Sequence, residues 1–278
     1  MEYIFDACTV INLLHIDEDE FLLKKISNLN FKICTKVFEE INKNIFVKFK
    51  NIQPYPKDRV DSISSKLICI REKIYTKEDY LDLNDSVLEV LKYTKKNGEY
   101  YSILLGYYLN TFEKAHILFY TDDSPAKFFF TPHLSQNQIG YIQDSVDLLI
   151  FLYRQNQDFT SNHLKKYLSS LYSEYATEYT LLEKEMNNFE VPKGQIKNKD
   201  FKLKLGQIKY AINEFKLEGI YELYKDVISD SKKYGILRDI LLKHSSFFES
   251  RIHSDYFNKI KTSIALVDSK SYFKYFHN

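Results

Sequence analysis

A chain of 278 residues with 44% hydrophobic content is long enough for one sizeable core or two smaller domains. Its formal net charge of +1 excludes binding of polyanions through bulk charge, so any electrostatic route to nucleic acid runs through local basic patches. Only 7 Gly and 5 Pro stand against 23 Tyr and 21 Phe, a balance that disfavours turn-rich β architectures and reads as helix-rich. The aromatic excess also follows from AT-rich codons and carries little weight as a sign of base stacking. Cys8, Cys34 and Cys69 lack CxxC spacing and a histidine at ligand distance, which points to buried free thiols rather than a disulfide framework or zinc site. No basic leader precedes the first apolar residues. The longest apolar run, Val146 to Tyr153, is interrupted by Asp147 and too short to span a bilayer, so the expectation is a cytoplasmic protein with no membrane association.

In chain order, Tyr3 to Phe5 reads as a strand ending in Asp6, followed by an apolar helix through Val10, Leu13 and Leu14. Phe31 to Cys34 reads as a second strand, with Thr35 as the cap of a helix from Lys36 to Lys43. Helical spacing recurs from Asp58 to Arg71, from Tyr80 to Tyr93, and from Glu99 through Tyr108 after the break at Asn97-Gly98. Ile117 to Tyr120 reads as a third strand ending in Thr121-Asp122-Asp123, and Ile139 to Ile142 as a fourth with the helix Val146 to Tyr153 behind it. This alternation predicts an α/β domain: a parallel sheet covered by helices on both faces, with a crevice beyond the carboxyl ends of its strands. After about Thr160 the strand signals vanish. Leu164 to Met186 reads as helix, Val191 to Gly194 as a break, and Phe201 to His277 as several further helices, with a loose boundary near Glu190.

Acids fall at four places at or near that crevice: Asp6, Glu40, Glu99 and the pair Asp122-Asp123. Each has an ordinary reading. Asp6 can cap a helix, Glu40 can lie on a solvated helix face, and Glu99 at a helix start is favoured by the macrodipole. Asp122, Asp123 or Ser124 ahead of Pro125 reads equally as an N-cap with proline at the first helical position.

At these same residues the sequence resembles the PIN-domain nucleases. Asp6-Ala7-Cys8-Thr9 before an apolar helix is similar to the family's opening. Val37-Phe38-Glu39-Glu40-Ile41 resembles its second acidic stretch, with Glu40 in the acidic place and Glu39 the fallback. Gly98-Glu99 is similar to the Gly-Glu helix start of one branch, although Tyr100, Tyr101 and Tyr107 replace small residues usual there. Thr121-Asp122-Asp123 resembles the last acidic stretch: Thr-x-Asp spacing selects Asp123, a strand-end reading selects Asp122, and the two stay open. The resemblance covers residues 1–175 and leaves 176–278 as a helical region of unknown role.

The resemblance implies a hydrolase, a metal-dependent endoribonuclease that binds Mg²⁺ or Mn²⁺ through Asp6, Glu40, Glu99 and Asp123, with Asp122 beside them. Thr9 and Thr121 are expected to hydrogen-bond ligand carboxylates. It also implies a toxin or antiphage effector held silent by an inhibitor protein, in the manner of a toxin–antitoxin pair. The alternatives are a structure-selective DNase of the same fold and an inactive PIN-like binding module. For the carboxyl-terminal region the open roles are target selection, oligomerisation such as a homodimer, and inhibitor binding. There Lys193, Lys197, Lys199, Lys202, Lys204, Lys209 and Lys216 are interleaved with Phe201, Tyr210 and Phe215, which reads either as phosphate contact or as a solvated helix face with aromatics in the core. Charge is unevenly shared: residues 1–150 hold 18 basic and 22 acidic side chains, the remainder 21 and 16.

Overall fold

A computed structural model describes residues 1–47, 49, 55–83, 95–195, 197–217, 219–249 and 254–269. The described chain falls into two compact units, Met1–Tyr167 and Leu168–Asn278.

The first unit is built on three short parallel strands, β1 (Glu2–Phe5), β2 (Ile117–Tyr120) and β3 (Gly140–Gln143), in the order β1-β2-β3. Register aligns Phe5 with Tyr120 and Tyr120 with Gln143, so all three strands end at one edge. Every side chain of β2 is buried. Because successive side chains point to opposite faces, both faces of this central strand are covered. Gly140 must be glycine, since a Cβ there would lie 1.9 Å from the Ile117 carbonyl oxygen of the neighbouring strand.

The expected strand Phe31–Cys34 is reduced to isolated bridges, Ile4 to Lys32 and Ile33 to Ile74, both parallel. The cause is local. Asn30 adopts φ +50° just before it, and α3 (Thr35–Asn44) starts directly after Cys34, leaving too few extended residues for a ladder. Thr35 is therefore inside the helix and Cys34 is the N-cap.

The other helices of this unit are α1 (Ala7–Ile16), α2 (Phe21–Ser27), α4 (Lys57–Arg71), α5 (Gly98–Glu113), α6 (Ser124–Gln136) and α7 (Ser145–Gln155). α5 packs on β1 and β2, and α6 on β3. Residues Asp79–Leu83 form a 3₁₀ turn, and the rest of the helix expected from Tyr80 to Tyr93 lies outside the described residues. The thiols are free: Cys34 is buried, Cys8 half-buried, and Cys69 is exposed, contrary to expectation, because it faces outward from α4.

Helix α8 (Ser161–Asn188) runs through the division between the units. The second unit continues with α9 (Lys199–Asn213), α10 (Ile220–Ser229), α11 (Ser231–Lys243), α12 (Ser245–Glu249) and α13 (Ser254–Asp268). Its core is aromatic. Tyr224 and Phe248 stack at 4.6 Å, and the Tyr179 hydroxyl donates to the Ile212 carbonyl at 2.7 Å. His244 is buried between Glu185, 3.0 Å from Nε2, and Glu178, 3.7 Å from Nδ1, and these carboxylates raise its pKa against the opposing effect of burial. No described helix is long and apolar enough to cross a membrane.

Candidate active site

The parallel register sets the first residues after each strand side by side. The Asp6 amide donates to the Tyr120 carbonyl and the Thr121 amide to the Gln143 carbonyl, each at 2.9 Å. Asp6 stands where a helix cap would, ahead of α1, yet its side chain makes no capping bond. Its Oδ2 instead accepts from the Thr121 hydroxyl and the Cys8 thiol, both at 3.0 Å. Both donors converge on one oxygen. The other, Oδ1, is buried and accepts no hydrogen bond.

Thr121 and Cys8 also receive hydrogen bonds, Thr121 Oγ1 from the Asp123 amide at 3.1 Å and Cys8 Sγ from the Asp122 amide at 3.2 Å. One small network thus ties the end of β1 to the turn after β2. Burial and the Asp6 carboxylate hold the Cys8 thiol well above its ordinary pKa, so it keeps its proton and serves as a donor. Thr9 does not join this network: its hydroxyl is buried without a partner.

The two aspartates after β2 diverge. Asp122 is buried with its oxygens engaged, Oδ1 by the Ser145 amide at 2.8 Å and Oδ2 by the Ser145 hydroxyl and the Asn12 side-chain amide, both at 2.6 Å. It binds α1 and α7 to the sheet edge. Asp123 caps α6 by accepting from the Ala126 amide at 2.8 Å, and its charge raises the pKa of both Asp6 and Glu99.

Glu40 and Glu99 arrive from α3 and α5. The Gly98 amide donates to Glu40 Oε1 at 2.9 Å, and Asn97 caps α5 by accepting from the Tyr100 amide. A Cβ on Gly98 would lie 2.4 Å from Glu40 Oε2, so the glycine read in the sequence as a helix break is also the space that admits this carboxylate. Gly98→Ala is expected to push Glu40 aside and destabilise the chain by about 1–3 kcal/mol, the usual range for overpacking, measured as a lower urea midpoint with unchanged slope. An alanine variant as stable as the parent would show that the carboxylate yields freely.

The electrostatics join what the sequence scatters. Burial first, and then Asp123 and Glu40, raise Asp6 to about 6. Burial first, followed by Asp6 and Asp123, raises Glu99 to about 9. Glu40 is raised by burial and drawn back by the Gly98 amide, Lys36 and Lys43. Glu99 Oε2, like Asp6 Oδ1, is buried and accepts no hydrogen bond. The tyrosines of α5 are accommodated by packing, Tyr100 fully buried and edge-on to Tyr101 at 5.4 Å.

Asp6, Glu40, Glu99 and Asp123 therefore share one region and one unfavourable field. They do not form a ready-made cage: among the described residues no three His, Cys, Asp or Glu side chains are grouped to hold a metal ion. Sequence reasoning passed over Asn12, Ser145 and Asp144. Asp144 follows β3, caps α7 in a reciprocal capping box with Asp147, and pairs with Lys127 at 3.1 Å. Its signal was present in the S/T/D-x-x-D/E spacing of Asp144 and Asp147. Compared with family models, curated proteins and solved structures, the chain gives no match.

Proposed function

We propose that the first unit is a metal-dependent endoribonuclease of the PIN type, using Asp6, Glu40, Glu99 and Asp123. The observation that supports this most is the pair of buried, unpartnered carboxylate oxygens, Asp6 Oδ1 and Glu99 Oε2, in a region where burial and the neighbouring acids, Asp123 and Glu40 among them, raise the pKa of Asp6 and Glu99. Buried polar atoms are ordinarily satisfied, and buried like charges ordinarily protonate or acquire a counterion.

The donor set fits a hard divalent cation such as Mg²⁺ or Mn²⁺, which takes oxygen ligands and keeps several waters, so that carboxylates too far apart to meet on one point can still act through water. Asp6 and Asp123 would hold it, with Glu40 and Glu99 as direct or water-mediated partners. When bound, the cation supplies neutralisation of charge on a phosphodiester and acidification of water. The chain's own residues do the remainder. Thr121 and Cys8 fix the Asp6 carboxylate by donating to Oδ2, which leaves Oδ1 without a hydrogen bond. Asp122 holds α1 and α7 in place through Asn12 and Ser145.

RNA incubated with the purified chain is expected to yield internal cuts with 5′-phosphate and 3′-hydroxyl ends in Mn²⁺ or Mg²⁺, and none with chelator, read by mapping fragment ends. Cutting that persists in chelator sinks the metal reading. Cutting of DNA alone makes the substrate DNA.

A further inference from the structure

The basic stretch of the second unit divides, once folded, into lysines with internal work and lysines without. Lys204 pairs with Asp226, Lys209 donates to the Phe189 carbonyl, and Lys216 donates to the Tyr210 hydroxyl at 2.7 Å with its ammonium 4.9 Å from that ring's centroid. Lys193, Lys197, Lys199 and Lys202 are exposed and make no ion pair among the described residues. The acid in their midst, Asp200, is engaged by Lys233 at 2.9 Å and by the Tyr234 hydroxyl at 2.6 Å, which removes it as a local counter-charge. Glu214 stands at the far end, at the C-cap of α9.

The helix itself supplies a second feature. Phe201, Leu205, Ile208 and Ile212 bury one side of α9. Lys199, Leu203, Gly206 and Tyr210 follow at spacings of four, three and four, and so line the other side. Leu203 is 58% and Tyr210 55% exposed, and nothing lies within 4 Å of where a Gly206 Cβ would be. The result is an open track of about 16 Å from Lys199 to Tyr210, at 1.5 Å per residue, with ammonium groups at one end and an accessible aromatic ring at the other.

We infer that this face of α9, with the segment just before the helix, binds single-stranded nucleic acid, its phosphates meeting Lys199 and Lys202 on the helix and Lys193 and Lys197 ahead of it, and a base stacking on Tyr210. Charge complementarity selects a polyanion, and the exposed Tyr210 ring, which already carries the Lys216 ammonium 4.9 Å from its centroid, selects one with unpaired bases, since a duplex keeps its base faces stacked. The inference stands apart from the nuclease reading, because binding is measured in chelator with that cleavage switched off.

The experiment is fluorescence anisotropy of a labelled oligouridylate of about twelve nucleotides with the full chain in EDTA, over a range of KCl. Reversing Lys197, Lys199 and Lys202 to Glu is expected to weaken binding at least tenfold, roughly, and to lower the salt slope by about 2, near 0.7 for each lost phosphate contact on a single strand. Tyr210→Ala should weaken binding by about fivefold or more with the slope unchanged, while Tyr210→Phe binds as the parent does. The exposed lysines Lys24, Lys57 and Lys184 reversed together give a charge-matched control that should bind nearly as the parent. The inference is overturned by a parent chain that does not bind the oligonucleotide, by a control that weakens as much as the α9 variant, or by binding confined to phosphatidylserine vesicles or an acidic peptide.

Discussion

Asp6→Asn is expected to lower RNA cleavage by at least about 100-fold while leaving the chain folded. The asparagine carbonyl can still accept from Thr121 and Cys8, so the tie between β1 and the turn after β2 survives. What is lost is the negative charge behind Oδ1, the buried oxygen without a partner. A cation site that loses one carboxylate loses several kcal/mol of charge stabilisation, and each 1.4 kcal/mol is a factor of about ten in rate. The same variant should melt higher than the parent in chelator, because Asp6 and Asp123 both raise Glu99 and one of those repulsions is gone. Reduced cleavage with raised thermal stability separates a functional acid from a structural one. Parental cleavage rates in Asp6→Asn remove Asp6 from the site.

The second large effect concerns pH and divalent cations. Glu99 is raised from 4.5 to about 9 and Asp6 from 3.8 to about 6, chiefly by burial and then by neighbouring acids. Between those limits the folded chain holds protons that the unfolded chain has released, so stability is highest at the acidic end of the window and falls as pH rises through the folded values. In chelator, the melting temperature of the transition that responds to Asp6→Asn should fall by at least about 5 °C between pH 5.5 and pH 9, given 2–4 °C for each kcal/mol lost in a unit of this size.

Mn²⁺ or Mg²⁺ should restore more of it at pH 8 than at pH 5.5, because only ionised carboxylates bind the cation well. His244 acts with the same sign on the second unit, its raised pKa giving stability there that is lost as pH climbs past it. Glu99→Gln isolates the site: it should flatten the pH dependence and weaken the cation response while leaving the His244 contribution in place. A pH profile identical to the parent's in Glu99→Gln would mean that Glu99 is ionised and solvated in the folded chain.

Local sequence pattern was enough to locate most of the elements that position the site. Three of the four expected strands form, because Tyr3 to Phe5, Ile117 to Tyr120 and the run from Gly140 are short apolar stretches ended by polar residues and followed by helices. The fourth, at Phe31 to Cys34, has the same apolar pattern, but its ladder is cut short by the positive φ at Asn30 and by α3 beginning at Thr35. Pattern records which residues want burial. It does not record how many of them are free to extend.

By itself, the amino-acid order determined that the acids Asp6, Asp122 and Asp123 fall just past apolar strands and that Glu99 opens a helix, since strand and helix ends are written in local periodicity and capping residues. Only the tertiary structure decided which acids share a field. Asp122 turned to Ser145 and Asn12, Asp123 became coupled to Asp6 and Glu99, and Gly98 made room for Glu40. Neighbours in sequence point to different places after a strand ends, and groups over a hundred residues apart are brought together by parallel register, so desolvation and repulsion between carboxylates exist only after folding.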